Sequence, residues 1–130
     1  MYKVIFYEDS NGKSEIVDFL AQLHEHAQTS KDSRVNFYKI AAYIDVLEEM
    51  GTRAGAPVTK YLDGEIWELR PLKNRILYAF YEEDTFVLLH HFVKKTRKTP
   101  KREIECAKRK LEDFKERGIF YGKDMERGKK

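Results

Sequence analysis

Apolar residues in this chain follow two different periods, a helical one near the N-terminus and an alternating one in the middle, and the switch between them divides the sequence into elements. Tyr2 to Tyr7 is a short β-branched and aromatic run that stops at the turn cluster Asp9-Ser10-Asn11-Gly12, which predicts a first strand. Ser14 is placed to cap a helix carrying Ile16, Leu20, Leu23 and Ala27 on one side. A second helix follows Gln28-Thr29-Ser30, with Phe37, Ile40, Ala41, Ile44 and Leu47 on one stripe and Gly51 just past its end. Together these two helices predict a layer laid against a sheet.

Gly51 to Pro57 holds two glycines and a proline and marks the change of period. Val58 to Leu62 and Glu65 to Arg70 then read as strands around the tight turn Asp63-Gly64, a hairpin signature. Asn74 to Tyr81 and Thr85 to Val93 form another pair, joined around Glu82-Glu83-Asp84. Four consecutive strands in short loops predict an antiparallel meander. Thr99-Pro100 announces a last helix, with Thr99 as N-cap, Pro100 at the first helical position and Ile104, Ala107, Leu111 and Phe114 on one face. Gly118 is expected to end it. The predicted fold class is α+β, two N-terminal helices packed on a mainly antiparallel sheet with a C-terminal helix. A single domain covers 1–118, without internal repeat or linker, and residues 119–130 form a charged tail, apart from Ile119-Phe120-Tyr121, expected to fray or be disordered.

Length supports this: 130 residues make about one domain and bury a real core without staples. The one cysteine, Cys106, permits no internal disulfide and gives no sign of an oxidising compartment. Acids at Glu8 and Asp9 interrupt the N-terminus before it resembles a signal peptide. No segment approaches the roughly 20 apolar residues of a bilayer span, so a soluble cytoplasmic protein with no membrane partner is expected.

Charge changes the picture. Residues 1–50 carry 5 Lys+Arg against 9 Asp+Glu, residues 51–85 carry 5 against 6, and residues 86–130 carry 15 against 7, so a formal net charge of only +3 conceals a basic C-terminal third. It is densest from His90 to Arg102, where eight of thirteen residues are His, Lys or Arg. Lys101 and Arg102 fall in the first turn of the predicted helix, where the dipole makes each unfavourable by on the order of a few tenths of a kcal/mol. An anion bound there offsets that penalty. A phosphate backbone is the expected partner, and RNA the expected substrate.

Alternation sorts one strand into a face with Trp67 and Leu69 and a face with Ile66, Glu68 and Arg70. The Trp/Leu face is expected against the helices, leaving Arg70 on an open face with Arg75 across the Pro71 to Asn74 connection. Two guanidiniums so placed suit one phosphate, and equally suit salt bridges to Glu68. Tyr78, Phe80, Tyr81 and Phe92 lie near the basic run in sequence, where exposed rings stack unpaired bases. His90 and His91 alternate in direction, so one is expected toward the core and the other toward the open face or solvent. His24 and His26 share no helix face, and no Cys or carboxylate stands at zinc-like spacing, so no metal or other cofactor is expected. Serine and cysteine nucleophile motifs and phosphate-cradling glycine loops are absent. RNA cleavage remains open to such a chain, because the 2′-hydroxyl is the substrate's own nucleophile.

The stretches Lys60-Tyr-Leu-Asp-Gly-Glu-Ile-Trp-Glu-Leu-Arg70, Asn74-Arg-Ile-Leu-Tyr78 and Leu88-Leu-His-His-Phe-Val-Lys-Lys-Thr-Arg-Lys-Thr-Pro100 resemble a HigB-type toxin of the RelE/ParE superfamily, from the branch with phage-derived homologues. The resemblance runs from the first strand to Phe114. It implies the toxin of a type II toxin-antitoxin pair, a ribosome-dependent messenger RNA endonuclease working without metal, silenced by a helix-turn-helix antitoxin (HigA-like) in a hetero-oligomer. Carried onto this chain, it implies catalytic roles for Arg70, Arg75, His90, Lys94 and Lys95, with Lys60, Lys73, Lys98, Lys101 and Arg102 binding RNA. Arg70 and Arg75 are expected to hold the scissile phosphate. His91 stands where the motif is expected to have a small residue, which leaves open whether one or both imidazoles serve. The superfamily also contains toxins that poison DNA gyrase without cutting RNA, and a non-catalytic nucleic-acid-binding module is a third alternative. The basic loop favours RNA. The antitoxin is expected on the two N-terminal helices, which offer more apolar area than a charged loop.

Overall fold

The computed structural model describes the backbone of residues 1–128 and the side chains of residues 1–117. Its elements are strand β1 (Lys3–Phe6), helices α1 (Glu15–His26) and α2 (Lys31–Met50), a 3₁₀ turn (Gly51–Ala54), strands β2 (Thr59–Asp63), β3 (Ile66–Leu69), β4 (Asn74–Tyr81) and β5 (Thr85–Val93), and helix α3 (Lys101–Gly128). The cap of α1 falls where the sequence puts it, and α2 is capped in the same way. Ser14 Oγ accepts from the Val17 N–H at 3.2 Å and Ser30 Oγ from the Ser33 N–H at 3.1 Å, each satisfying an otherwise orphaned donor. Gly51 closes α2 at φ 61°, and a Cβ there would lie 2.8 Å from the Tyr2 ring, so both backbone and packing demand glycine.

The five strands form one sheet in the order β1-β5-β4-β3-β2. From β2 to β5 it is the predicted antiparallel meander. Strand β1 joins the other edge parallel to β5, from Lys3 opposite Thr85 to Phe6 opposite Leu88. Parallel neighbours need a long crossover, and here it includes the α1/α2 hairpin and the meander itself.

Two cores result, one on each face. Ile16, Ile40 and Leu47 of α1 and α2 pack on Leu69, Ile76, Tyr78, Phe86 and Leu88, with Trp67 at the margin, as the Trp/Leu face predicts. Ala107, Leu111 and Phe114 of α3 pack on Ile66, Leu77, Ala79, Val87 and Leu89. The face carrying Ile66 and Glu68 is therefore not open. β4 and β5 are apolar on both sides through their middle, as strands covered on both faces must be, and the apolar stripe of α3 supplies the second cover.

A bulge in β5 sets the two histidines. Leu77 pairs with His90 and Tyr78 with Leu88, leaving Leu89 as the extra residue. His90 consequently lies on the α3 side, while His91 turns to α1 and stacks on Phe19 with centroids 3.9 Å apart. The two point to opposite faces, as alternation predicts, but neither meets an open sheet surface, because α3 covers the face expected to be open.

His91 has a consequence for acid stability. Burial pushes its imidazole from 6.5 down to about 4, against the attraction of Glu15 and with a smaller contribution from His90. Below about pH 6.5 the unfolded chain binds a proton that the folded chain refuses. Stability should thus be full above that pH, fall as pH drops toward about 4, and lose at most roughly 3 kcal/mol. Urea unfolding of the wild type and His91→Gln between pH 7 and 4 tests this. An unchanged slope in the variant would assign the acid loss to other groups.

Helix α3 departs from the sequence reading at both ends. The Thr99 hydroxyl does not cap it but donates to Glu68 Oε2, and the Pro100 carbonyl accepts from the Glu103 and Ile104 N–H groups at 3.0 and 3.4 Å. The helix also continues through Gly118 to Gly128, since an interior glycine costs only about 1 kcal/mol relative to alanine. The side chains of the charged tail expected over 119–130 lie outside the described residues. Among the described residues no helix is long and apolar enough to cross a membrane.

Candidate functional site

The sheet face under α3 is not covered to its end. Where β3, β4 and β5 run past the first turn of α3, a cleft of about 760 Å³ opens between the sheet, the 94–100 loop and that turn. Register places its floor. Lys60 sits opposite Glu68, and Arg75 opposite Phe92, so these side chains share the α3 side of the sheet. Arg70 follows Glu68 at the end of β3 and completes it.

Glu68 organises this floor. The residue is 2% exposed, and its Oε1 lies 3.5 Å from Arg70 Nε and 3.9 Å from Arg75 Nε, while Oε2 accepts from Thr99. The salt bridges admitted by the sequence are thus real, and the same arginines line the cleft. They are not equivalent. Arg75 Nη1 donates at 2.8 Å to both the Leu72 and Asn74 carbonyls, the first presented by a residue at φ 59°. Burial lowers the Arg75 pKa, Glu68 opposes that, and Arg70 adds to it. Arg75 is fixed in the turn. The Arg70 side chain is 28% exposed, its Nε is buried without a hydrogen bond, and no hydrogen bond among the described residues engages its Nη atoms. Of the two floor arginines it is the one with Nη atoms left to meet a ligand.

Exposed cations ring the opening: Lys94, Lys95, Arg97, Lys98 and Arg102, with Lys60 from β2. The loop is held by few bonds, the Lys94 N–H to the Lys73 carbonyl at 2.7 Å, Thr96 Oγ1 to the Lys98 carbonyl at 2.7 Å, and Thr99 to Glu68. Of the site residues expected from sequence, the cleft therefore gathers Arg70, Arg75, Lys94, Lys95, Lys60, Lys98 and Arg102. Lys73 contributes only that carbonyl, and Lys101 lines a shallower groove beside Asp63.

His90 does not line the cleft. It lies behind Glu103, with Nε2 2.9 Å from Glu103 Oε1, and Glu103 is the residue that faces the opening. Of the four aromatic rings considered, Phe92 alone lines the cleft. Tyr78 is buried with its hydroxyl 2.6 Å from Thr59 Oγ1, Phe80 packs on Tyr2 and Phe86, and Tyr81 packs on Phe114. Sequence reasoning missed Glu103 and the second role of Thr99. The available signal was a lone acid directly after Lys101-Arg102 in an otherwise cationic stretch.

Such a cleft is suited to a polyanion: exposed cations for successive phosphates, the forked Arg70 guanidinium for a central phosphate, and a ring for a base. One family model, described as phage derived protein Gp49-like (DUF891), matches residues 19–112 and so spans all the residues that form the cleft. No curated protein matches the chain.

Proposed function

From its membership of the Gp49-like family, a RelE/toxin-like family, we propose that this chain is the toxin of a type II toxin-antitoxin pair and a HigB-type endonuclease that cuts messenger RNA on the ribosome. The observation that supports cleavage over mere binding is Arg70, a half-buried guanidinium at the floor of a cationic cleft with its Nη atoms unengaged. A group so held can stabilise charge that builds on a phosphate, whereas exposed loop lysines only neutralise it.

In this reading one RNA phosphate sits on Arg70, Lys94, Lys95 and Lys98 take its neighbours, and Phe92 stacks an adjacent base. Arg75 keeps the turn and Glu68 in place. The 2′-hydroxyl attacks the phosphorus in line and the 5′-oxygen leaves. A helix-turn-helix antitoxin of HigA type gripping α1 and α2 keeps the toxin from the ribosome.

Expressing the chain without a partner and mapping transcript 5′ ends tests the function. Cuts in register with codons, leaving 2′,3′-cyclic or 3′-phosphate ends, are expected. DNA breaks and supercoiling defects without such cuts would instead establish a gyrase poison, and neither effect would leave a binding module. Recovery of 3′-hydroxyl ends would mean that water, not the 2′-hydroxyl, attacks.

A further inference from the structure

Two carboxylates stand among the cations of the cleft, and they differ in what they have left to offer. Both oxygens of Glu68 are engaged, by Arg70 and Arg75 on one side and Thr99 on the other. Glu103 has a side chain 19% exposed on the cleft wall and uses only Oε1, toward His90 Nε2 at 2.9 Å. No hydrogen bond among the described residues reaches its Oε2. An ionised carboxylate only accepts, so the proton of this pair resides on His90 Nε2. On the other side of the ring, Nδ1 lies 3.4 Å from Lys110 Nζ, 3.7 Å from Cys106 Sγ and 3.6 Å from Glu15 Oε1. The imidazole is thus held between α1, β5 and α3, only 9% exposed, and fixes the direction of a carboxylate that it shields from nothing on the cleft side.

We propose that Glu103 is the proton acceptor for the 2′-hydroxyl of RNA and that His90 is its positioning residue, an assignment that rests on the cleavage reading above. Charged lysine and arginine have no lone pair for a proton, and the free Glu103 oxygen is the group in the cleft that does. Oε2 takes the 2′-hydroxyl proton as the 2′-oxygen bonds to phosphorus. The bond from phosphorus to the 5′-oxygen breaks, and that oxygen takes a proton from water. The hydroxide left behind receives the proton from Glu103, which restores the carboxylate. His90 neither gains nor loses a proton.

The test is the cleavage rate of ribosome-bound messenger, at saturating and limiting toxin, for the wild type, Glu103→Gln, His90→Ala and His90→Gln. Glu103→Gln keeps an oxygen for His90 and should fold, with kcat reduced roughly 10²-fold or more and KM unchanged or lower. His90→Ala should lower kcat by roughly 10- to 10²-fold by loosening the carboxylate, and His90→Gln, whose amide donates to the same oxygen, should recover most of it. Wild-type kcat in a folded Glu103→Gln overturns the assignment while leaving the cleavage reading intact. If Glu103→Gln is too unstable to assay, equal kcat losses in the two His90 variants overturn it instead. A wild type that cuts no messenger removes the cleavage reading and the assignment together.

Discussion

Replacing Arg70 with alanine is expected to reduce messenger cleavage by roughly 10² to 10³, the loss that follows removal of one preorganised donor to a developing oxyanion. The fold should survive. Arg70 holds the β2–β3 junction through its backbone N–H, which donates to the Val58 carbonyl at 2.9 Å and is untouched by the substitution. Glu68 retains Arg75 and Thr99, so no buried charge is left alone. Arg70→Lys should recover only part of the rate, because an ammonium offers a point charge where the guanidinium offers a planar fork. Rates on ribosome-bound messenger, with thermal melting as the check on folding, decide the matter. A folded Arg70→Ala protein with full activity would remove Arg70 from the chemistry.

Glu68→Ala should act on stability rather than chemistry, lowering it by about 3 to 5 kcal/mol, because deleting one partner of a buried ion cluster strands the others. Arg75, 6% exposed, would keep two carbonyl partners and lose the one counter-charge paired with it among the described residues, and Thr99 would lose its bond to the sheet. Glu68→Gln should cost less, since an amide oxygen still accepts from Thr99. Urea unfolding measures both. A loss below about 1 kcal/mol for the alanine variant would mean that the two guanidiniums repel each other too weakly to need the carboxylate.

Much of this architecture was legible in the sequence. β4 and β5 have the predicted bounds because turn clusters and a change of period mark both ends, and Ser14 and Ser30 cap because a hydroxyl before an amphipathic run has few other uses. What the sequence withheld was partnership. Periodicity gives β1 its conformation but not its neighbour, so its parallel place beside β5 was unforeseen. It likewise showed that one face of the sheet meets α1 and α2 without showing that α3 claims the other. His90 and His91 do point to opposite faces, as alternation required, but with α3 on the second face neither of those faces is open. Within the site, residue type located the cations well, while hydrogen-bond geometry was needed to separate Arg70 from Arg75 and to place His90 behind Glu103.

The position of β1 bears on how the protein is made. Synthesis delivers residues 3–6 early and their partners, residues 85–88, only after more than half of the chain has followed. The α1/α2 hairpin is local and can collapse as soon as it emerges, but the first strand must wait at its edge, unpaired, until β5 arrives. The cationic loop and the first turn of α3 emerge later still. A nascent chain therefore carries no finished cleft until the 94–100 loop and the first turn of α3 have followed the sheet out of the ribosome.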